Sequence, residues 1–139
     1  MAGLSIYGRA QMLNAVFRRD EFDSSADWWL ALTTIVPMAG DTGAHLVEPD
    51  DVAYARQPYG HTAAYWDASG LGTIGNSQAI TYPVPTVDWG LVSGWALVDS
   101  VSGDGNLWLV GELATPARVI TGPDAAVIVE QYALQLTEI

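Results

Sequence analysis

The run Trp28-Trp29-Leu30-Ala31-Leu32-Thr33-Thr34-Ile35-Val36 is the strongest structural signal in this 139-residue chain. It is short, bulky and partly β-branched, and Pro37 ends it, which predicts a β-strand that buries at least one face. Adjacent Trp28 and Trp29 must then point to opposite faces. We expect the face with the bulkier side chains to lie in the core, together with tryptophans of later strands. The candidate core residues are Trp28, Leu30, Leu32, Trp95 and Trp108.

Four more short apolar runs follow this strand and predict further strands. They are Ala79–Val84, Gly94–Val98, Leu107–Leu113 and Ala126–Leu136. The last run alternates two sets of side chains along its length and therefore predicts one continuous strand. Turn signals rich in glycine, proline and aspartate separate the runs.

One segment, residues 4–19, has the periodicity of a helix. Its apolar positions recur on one face, at Leu4, Tyr7, Ala10, Leu13 and Phe17. Ser5 is a candidate N-cap, and the arginines at the end of the segment suit the C-terminal end of a helix dipole. The candidate interface residues are Tyr7, Phe17 and Trp29.

These elements predict a mainly β fold: a single β-sandwich or small barrel of short strands, preceded by one N-terminal α-helix. The length suits one domain over residues 1–139, with the helix at 4–19 and a β-rich body at 27–139.

The net charge of the chain disfavours two classes of partner, nucleic acids and membranes. The chain has 5 basic and 16 acidic residues, a formal net charge of −11. All five cations are arginines. Such an acidic chain repels phosphate backbones and anionic lipid, so we expect neither a nucleic-acid nor a membrane partner. The absence of cysteine excludes disulfides, Fe–S clusters and thiol catalysis.

Three motifs resemble ligand-binding or catalytic signatures but lack the surrounding pattern. Gly70–Gly75 matches a dinucleotide-binding loop without a following helix, and Asp41–Ala44 matches an aspartic-protease signature without a preceding apolar strand. Asp99–Asn106 has calcium-type ligands but is better explained as a hairpin turn. His45 and His61 lack metal-site spacing. We therefore predict no enzyme and no catalytic, cofactor or metal site; a small aspartic-type hydrolase remains the lesser alternative.

The six tryptophans allow a second alternative, a carbohydrate-binding module for host adsorption. Aromatic planes can stack on sugar rings, although aromatics on strands more often pack in a core or an interface. The six are Trp28, Trp29, Trp66, Trp89, Trp95 and Trp108.

A series of short motifs in fixed order carries a family resemblance. Towards the N-terminus they are Met12–Arg18 and Trp29–Leu32; from Ala53 onward they are Tyr54–Gln57, Asn76–Pro83, Val87–Gly90, Gly94–Asp99 and Asn106–Leu113. This order resembles small structural proteins of tailed-phage virions, of the tail-fibre-like, minor tail or capsid decoration kind. The resemblance implies a non-enzymatic role exerted through contacts with other virion proteins.

The charge of the chain and the composition of its strands also indicate where on the virion the protein lies and how it assembles. A strongly acidic subunit is repelled by packaged DNA, so we expect the exterior of the virion, on capsid or tail. We expect synthesis in the host cytoplasm, because no charged leader precedes an apolar run. Short apolar strands with few edge charges predict a homo-oligomer, with a trimer favoured.

Overall fold

The computed structural model describes residues 2–21, 27–67, 70–121 and 126–136. Its elements follow in the order β1 (Gly3–Leu4), α1 (Ile6–Leu13), a π-helical turn (Asn14–Arg18), β2 (Trp29–Thr33), a 3₁₀ turn (Gly43–His45), β3 (Gln57–Pro58), β4 (Ile74–Gly75), β5 (Ile80–Thr81), β6 (Gly90–Val98), β7 (Leu107–Val119), β8 (Ile128–Val129) and β9 (Gln135–Leu136). The predicted mainly β fold with one N-terminal helix is confirmed.

An antiparallel sheet of five strands, ordered β1-β7-β6-β2-β3, forms the centre of the fold. Register places Leu30 opposite Leu97, and Leu32 opposite Trp95. Leu97 in turn lies opposite Leu109. These side chains therefore share one face of the sheet. They form the larger hydrophobic cluster.

Two smaller sheets, β4 with β9 and β5 with β8, supply the opposing layer. Their contributions to the larger cluster include Ile80, Val129 and the neighbouring Leu134, all nearly inaccessible to solvent. The result is a small sandwich-like fold in which apolar faces of antiparallel sheets bury one another.

The opposite face of β2 is also buried. Ala31 and Ala96 lie opposite each other there and are fully inaccessible to solvent. Gly94 leaves room for the chain that folds back after β2, since a Cβ at Gly94 would lie 2.9 Å from Pro37. Small side chains on this face thus let the following segment pack closely. The strand is therefore buried on both faces, where the pattern required only one.

The hairpin between β6 and β7 contains an irregularity that repositions one tryptophan. Leu97 pairs with Leu109 and Val98 with Leu107, so Trp108 is an extra residue in its strand. A bulge of this kind turns a side chain from its alternating position. Trp108 consequently joins the larger cluster beside Trp28, with ring centroids 5.2 Å apart.

The structure differs from the helix predicted at 4–19 in two places, its start and its final turn. Leu4 is not helical; it pairs with Leu109 as part of β1. The helix begins at Ile6, and Ser5 is its N-cap, with its hydroxyl accepting from the Gly8 N–H at 2.9 Å. The last turn is π-helical, and Arg19 ends it with a left-handed φ of 57°.

Several strand predictions are corrected in extent. The central strand runs from Trp29 to Thr33 rather than from Trp28 to Val36, and Ala79–Val84 contains only the two-residue β5. The alternating run Ala126–Leu136 is not one strand. It is split into β8 and β9 by a turn in which Tyr132 has a φ of 63°.

The other two predicted strands are longer than expected. Gly94–Val98 and Leu107–Leu113 lie within β6 and β7, which pair with each other. The last three residues of the predicted β-rich body, and Met1, lie outside the described residues.

Candidate interaction surface

An apolar stripe on α1 and its π-helical turn faces solvent. We call the side chains of Ile6, Leu13, Val16 and Phe17 the helix stripe; their exposure ranges from 49% to 81%, with Phe17 the most exposed. Gly8 is the one buried residue of α1. An amphipathic helix normally buries its apolar side. Here much of that side is left for contact with something else.

The helix is fixed to the sheet through few but specific contacts. The Ser5 hydroxyl donates to the carbonyl of Leu107, and the Ser5 N–H donates to the carbonyl of Trp108 at 3.0 Å. Gly8 lies directly on the Trp108 backbone, where a Cβ would collide with the carbonyl oxygen. Tyr7 packs edge-on against the Trp108 ring at 5.2 Å. The helix stripe is therefore presented on an anchored helix.

Arginines border the helix stripe. Arg9 and Arg18 are exposed, and Arg18 forms an ion pair with Asp20 at 2.9 Å. The Arg9 guanidinium also donates to the carbonyl of Leu4 at 3.4 Å. Apolar side chains bordered by arginines are typical of protein interfaces.

The predicted interface residues occupy three different environments. Phe17 is highly exposed, whereas Tyr7 is only partly exposed because it packs on Trp108. Trp29 is also partly buried, against the smaller cluster on the second sheet face that includes Ala96. The structure therefore brings Tyr7 and Phe17 onto the same helix, and places Trp29 on the sheet. Their role in contacts stays a prediction.

The predicted core residues lie together in the larger cluster. Each has an exposure of 8% or less: Trp28, Leu30, Leu32, Trp95 and Trp108. The Trp95 indole rests on the backbone of Gly111, where a Cβ would lie 2.7 Å from the ring.

A second structured region lies at the far end of the β6–β7 hairpin, where Asp51 ties two loops together. Its carboxylate accepts the Thr86 hydroxyl, the Thr86 N–H at 2.7 Å and the Trp89 indole N–H at 2.8 Å. Partial burial by itself would raise the pKa of Asp51. Hydrogen bonds from Thr86, Ala53 and Trp89 outweigh that effect and hold the pKa well below its usual range.

A buried ion pair connects the loop before β3 to the β6–β7 turn. Arg56 binds both carboxylate oxygens of Glu48 at 2.9 Å and donates to the carbonyls of Ser100 and Gly103. Tyr54 donates to Glu48 at 2.7 Å; burial, reinforced by the Glu48 charge, raises the pKa of its phenol. Sequence reasoning missed this network, because it joins residues that are distant in the sequence, such as Arg56 and Gly103.

The motifs that suggested chemistry have structural roles. The Asp41 carboxylate accepts the Met38 N–H at 2.8 Å within a turn. Asp99 accepts the Asn106 N–H at 2.7 Å and so closes the β6–β7 turn, as the hairpin interpretation predicted. The Gly70–Gly75 segment leads into β4 and not into a helix.

The histidines likewise have local partners. His45 Nδ1 accepts the Thr42 N–H at 3.1 Å, and the His61 ring stacks on Trp28 at 4.5 Å. Across the described residues, no group of three or more His, Asp or Glu side chains converges as a metal site would require.

The tryptophans are mostly used for packing. Four are buried, with exposures from 1% to 8%: Trp28, Trp89, Trp95 and Trp108. Trp66 is partly buried, packs edge-on against Tyr59 and donates its indole N–H to the carbonyl of Gly60 at 2.8 Å. Few indole planes are thus presented for stacking on a sugar.

Comparison with known families gives a match over nearly the whole chain. Residues 3–137 match the family described as Podophage GP4 fiber I protein gp80. The chain belongs to this family. Members of the fiber I family are phage virion proteins by that description, which confirms the resemblance to tail-fibre-like structural proteins. A comparison with curated proteins found no match.

Membership of a phage fibre family is consistent with contacts to other virion proteins. Within the part of the chain that the structure describes, no helix has the length and apolar character needed to cross a bilayer.

Proposed function

We propose that this protein is a non-enzymatic structural component of an external fibre of the phage virion and acts through protein–protein contacts. The observation that carries the proposal is the helix stripe, an exposed apolar surface on an anchored helix, in a chain of the fiber I family. The helix stripe takes no part in the core of the β body, so it is available for contact with another molecule.

The net charge supports a position on the exterior. A subunit of charge −11 is repelled by packaged DNA but meets no such penalty outside the capsid. The family description favours a fibre over a capsid decoration protein.

Self-association fits the exposed apolar surface. Phe17 at 81% exposure and Val16 at 65% are adjacent on one helix, and exposed apolar side chains that cluster in this way mark interaction sites. We expect a homo-oligomer, and among closed symmetric forms a trimer.

Enzymatic and carbohydrate-binding functions have less support. Asp41, the aspartate of the protease-like signature, is engaged in its own turn with Met38. Most tryptophans are buried and not available for stacking. Asp41→Asn is therefore expected to leave particle assembly unchanged, and a glycan array is expected to show no specific binding.

Labelling of intact particles tests the proposal. Antibodies raised against the protein should decorate undisrupted virions in electron micrographs, at projections and not over the whole capsid. Label that appears only after particles are broken open would overturn the exterior position. An even distribution over the capsid would overturn the fibre position and favour decoration.

A further inference from the structure

The charge of the chain is divided unevenly along its length. The first 19 residues contain three arginines and no acidic residue, while the remaining 120 contain two arginines and all sixteen acidic residues. The helix segment is thus +3 and the rest of the chain −14, although the solvent-exposed Arg18–Asp20 ion pair offsets one of the three positive charges. Opposite charges on two parts of one molecule allow one copy to attract the next.

The far end of the β6–β7 hairpin has a surface that complements the helix stripe. We call it the acidic end; its exposed apolar side chains are Val52, Val84, Val87 and Ile120. Val52 is 99% exposed, the highest value among the large apolar side chains. Its carboxylates are Asp50, Asp51 and Asp88, and Arg118 of β7 offsets one of these charges.

The acidic end is held in shape by hydrogen bonds. Asp51 binds the loop at Thr86, and the Asp88 carboxylate accepts the Thr121 N–H at 2.9 Å. The Trp89 N–H donates to the carbonyl of Val119 at 3.0 Å. Apolar side chains on a fixed backbone suit docking, because little conformational entropy is lost on contact.

The anchor of the helix and the acidic end lie at opposite ends of the sheet. The helix is anchored at Leu107 and Trp108, where β7 begins beside Val98. The acidic end surrounds Gly90 and Val119, the other end of the same strand pair. Eight residues of β6 separate these ends, a distance of about 26 Å. The helix anchor and the acidic end are therefore well separated within one subunit, whereas two copies can bring the two surfaces together.

We propose that the helix stripe of one copy docks on the acidic end of the next, in a head-to-tail contact. The apolar side chains of both surfaces are buried together, and Arg9 and Arg18 face the carboxylates of the neighbour. A head-to-tail contact closes into a ring when the rotation between copies allows it, and a three-membered ring is the trimer expected above. The inference deepens the proposed function and rests on it only for self-association.

Reciprocal charge reversal tests the contact by sedimentation velocity at low salt. Arg18→Glu alters the helix side and Asp50→Arg alters the acidic end. Each should weaken self-association about tenfold, since each turns an attraction into a repulsion. A chain with both changes should recover to within about threefold of wild type, because the charges match again. Glu130→Arg, an equal charge change on an exposed residue outside both surfaces, should have no effect.

Two outcomes would overturn the proposal. A wild-type chain that stays monomeric at about 100 μM, a Kd of this order being weak for a structural contact, contradicts self-docking. A double variant no better than the single ones contradicts this pairing of surfaces. Phe17→Ser and Val52→Asp repeat the test by removing one apolar side chain from each surface. Both should weaken self-association, with folding checked by circular dichroism. Particle labelling is independent of all these results.

Discussion

The central sheet and the N-terminal helix use apolar side chains in opposite ways. In β2, the side chains from Leu30 to Thr33 are all fully buried. In α1 and its π-helical turn, Phe17 and Val16 face solvent. The difference lies in the neighbours: β2 is covered on both faces, while the helix packs on the body through Tyr7, Gly8 and Met12. Apolar character alone therefore does not separate folding surfaces from docking surfaces.

Truncation of the two adjacent tryptophans should give the largest effects. Trp28→Ala removes a side chain that is 8% exposed, stacks on His61 and packs against Trp108. The change should lower the free energy of unfolding by about 3–5 kcal/mol. Trp29→Ala removes a partly buried ring and should cost about half as much. Urea titration followed by circular dichroism measures both values. Equal losses, or a larger loss at Trp29, would contradict the assignment of the two faces.

Gly8→Ala tests how the helix is attached. In a solvent-exposed helix this change stabilises by about 1 kcal/mol. Here a Cβ would meet the Trp108 carbonyl, so the change should destabilise by about 1–3 kcal/mol, as overpacking does. The matched control is Gly3→Ala, where a Cβ meets nothing within 4 Å. Stabilisation by Gly8→Ala, measured by thermal unfolding, would show that the helix is not seated on the sheet as described.

Acid should loosen the acidic end before it affects the sheet. The pKa of Asp51 is depressed in the folded protein, so its contribution to stability is present above the ordinary aspartate pKa of about 3.9 and is lost as the pH falls through the lower folded value. Asp51→Asn should remove part of this acid sensitivity, and Asp50→Asn, its neighbour, should not. Melting temperatures from pH 7 down to about pH 2 measure the difference; equal acid profiles for the two variants would contradict the role of Asp51.

The sequence predicted the fold class and a strand within Trp28–Val36, because dense apolar runs are local signals. It failed at Ala126–Leu136, where alternation suggested one strand. The buried Asn76 side chain accepts from the Leu134 N–H and donates to the Glu130 carbonyl, and so holds a turn from more than fifty residues away. A bond of that range leaves no local pattern. Leu4 fits the helical period, but it pairs with Leu109 of β7. This pairing also joins residues far apart in the sequence, so no local pattern predicts it.

The candidate site was only partly predictable. Phe17 was identified from periodicity, but its exposure depends on which side of the helix meets the sheet. The acidic end was not anticipated, because Val52 and Val87 are distant in sequence and are brought together by Asp51. The predicted interface thus included one end of the molecule and omitted the other.

Phe17→Ser tests most directly whether the helix stripe serves contact and not folding. The free energy of unfolding of the variant should lie within about 0.5 kcal/mol of the wild-type value, as is usual for substitutions at exposed positions. The variant should nevertheless sediment as a smaller species at the same concentration. Sedimentation velocity and thermal unfolding on one preparation give both readings. A variant that unfolds would make Phe17 part of the folding core, and a variant of unchanged size would remove the stripe from the assembly contact; either result contradicts the account.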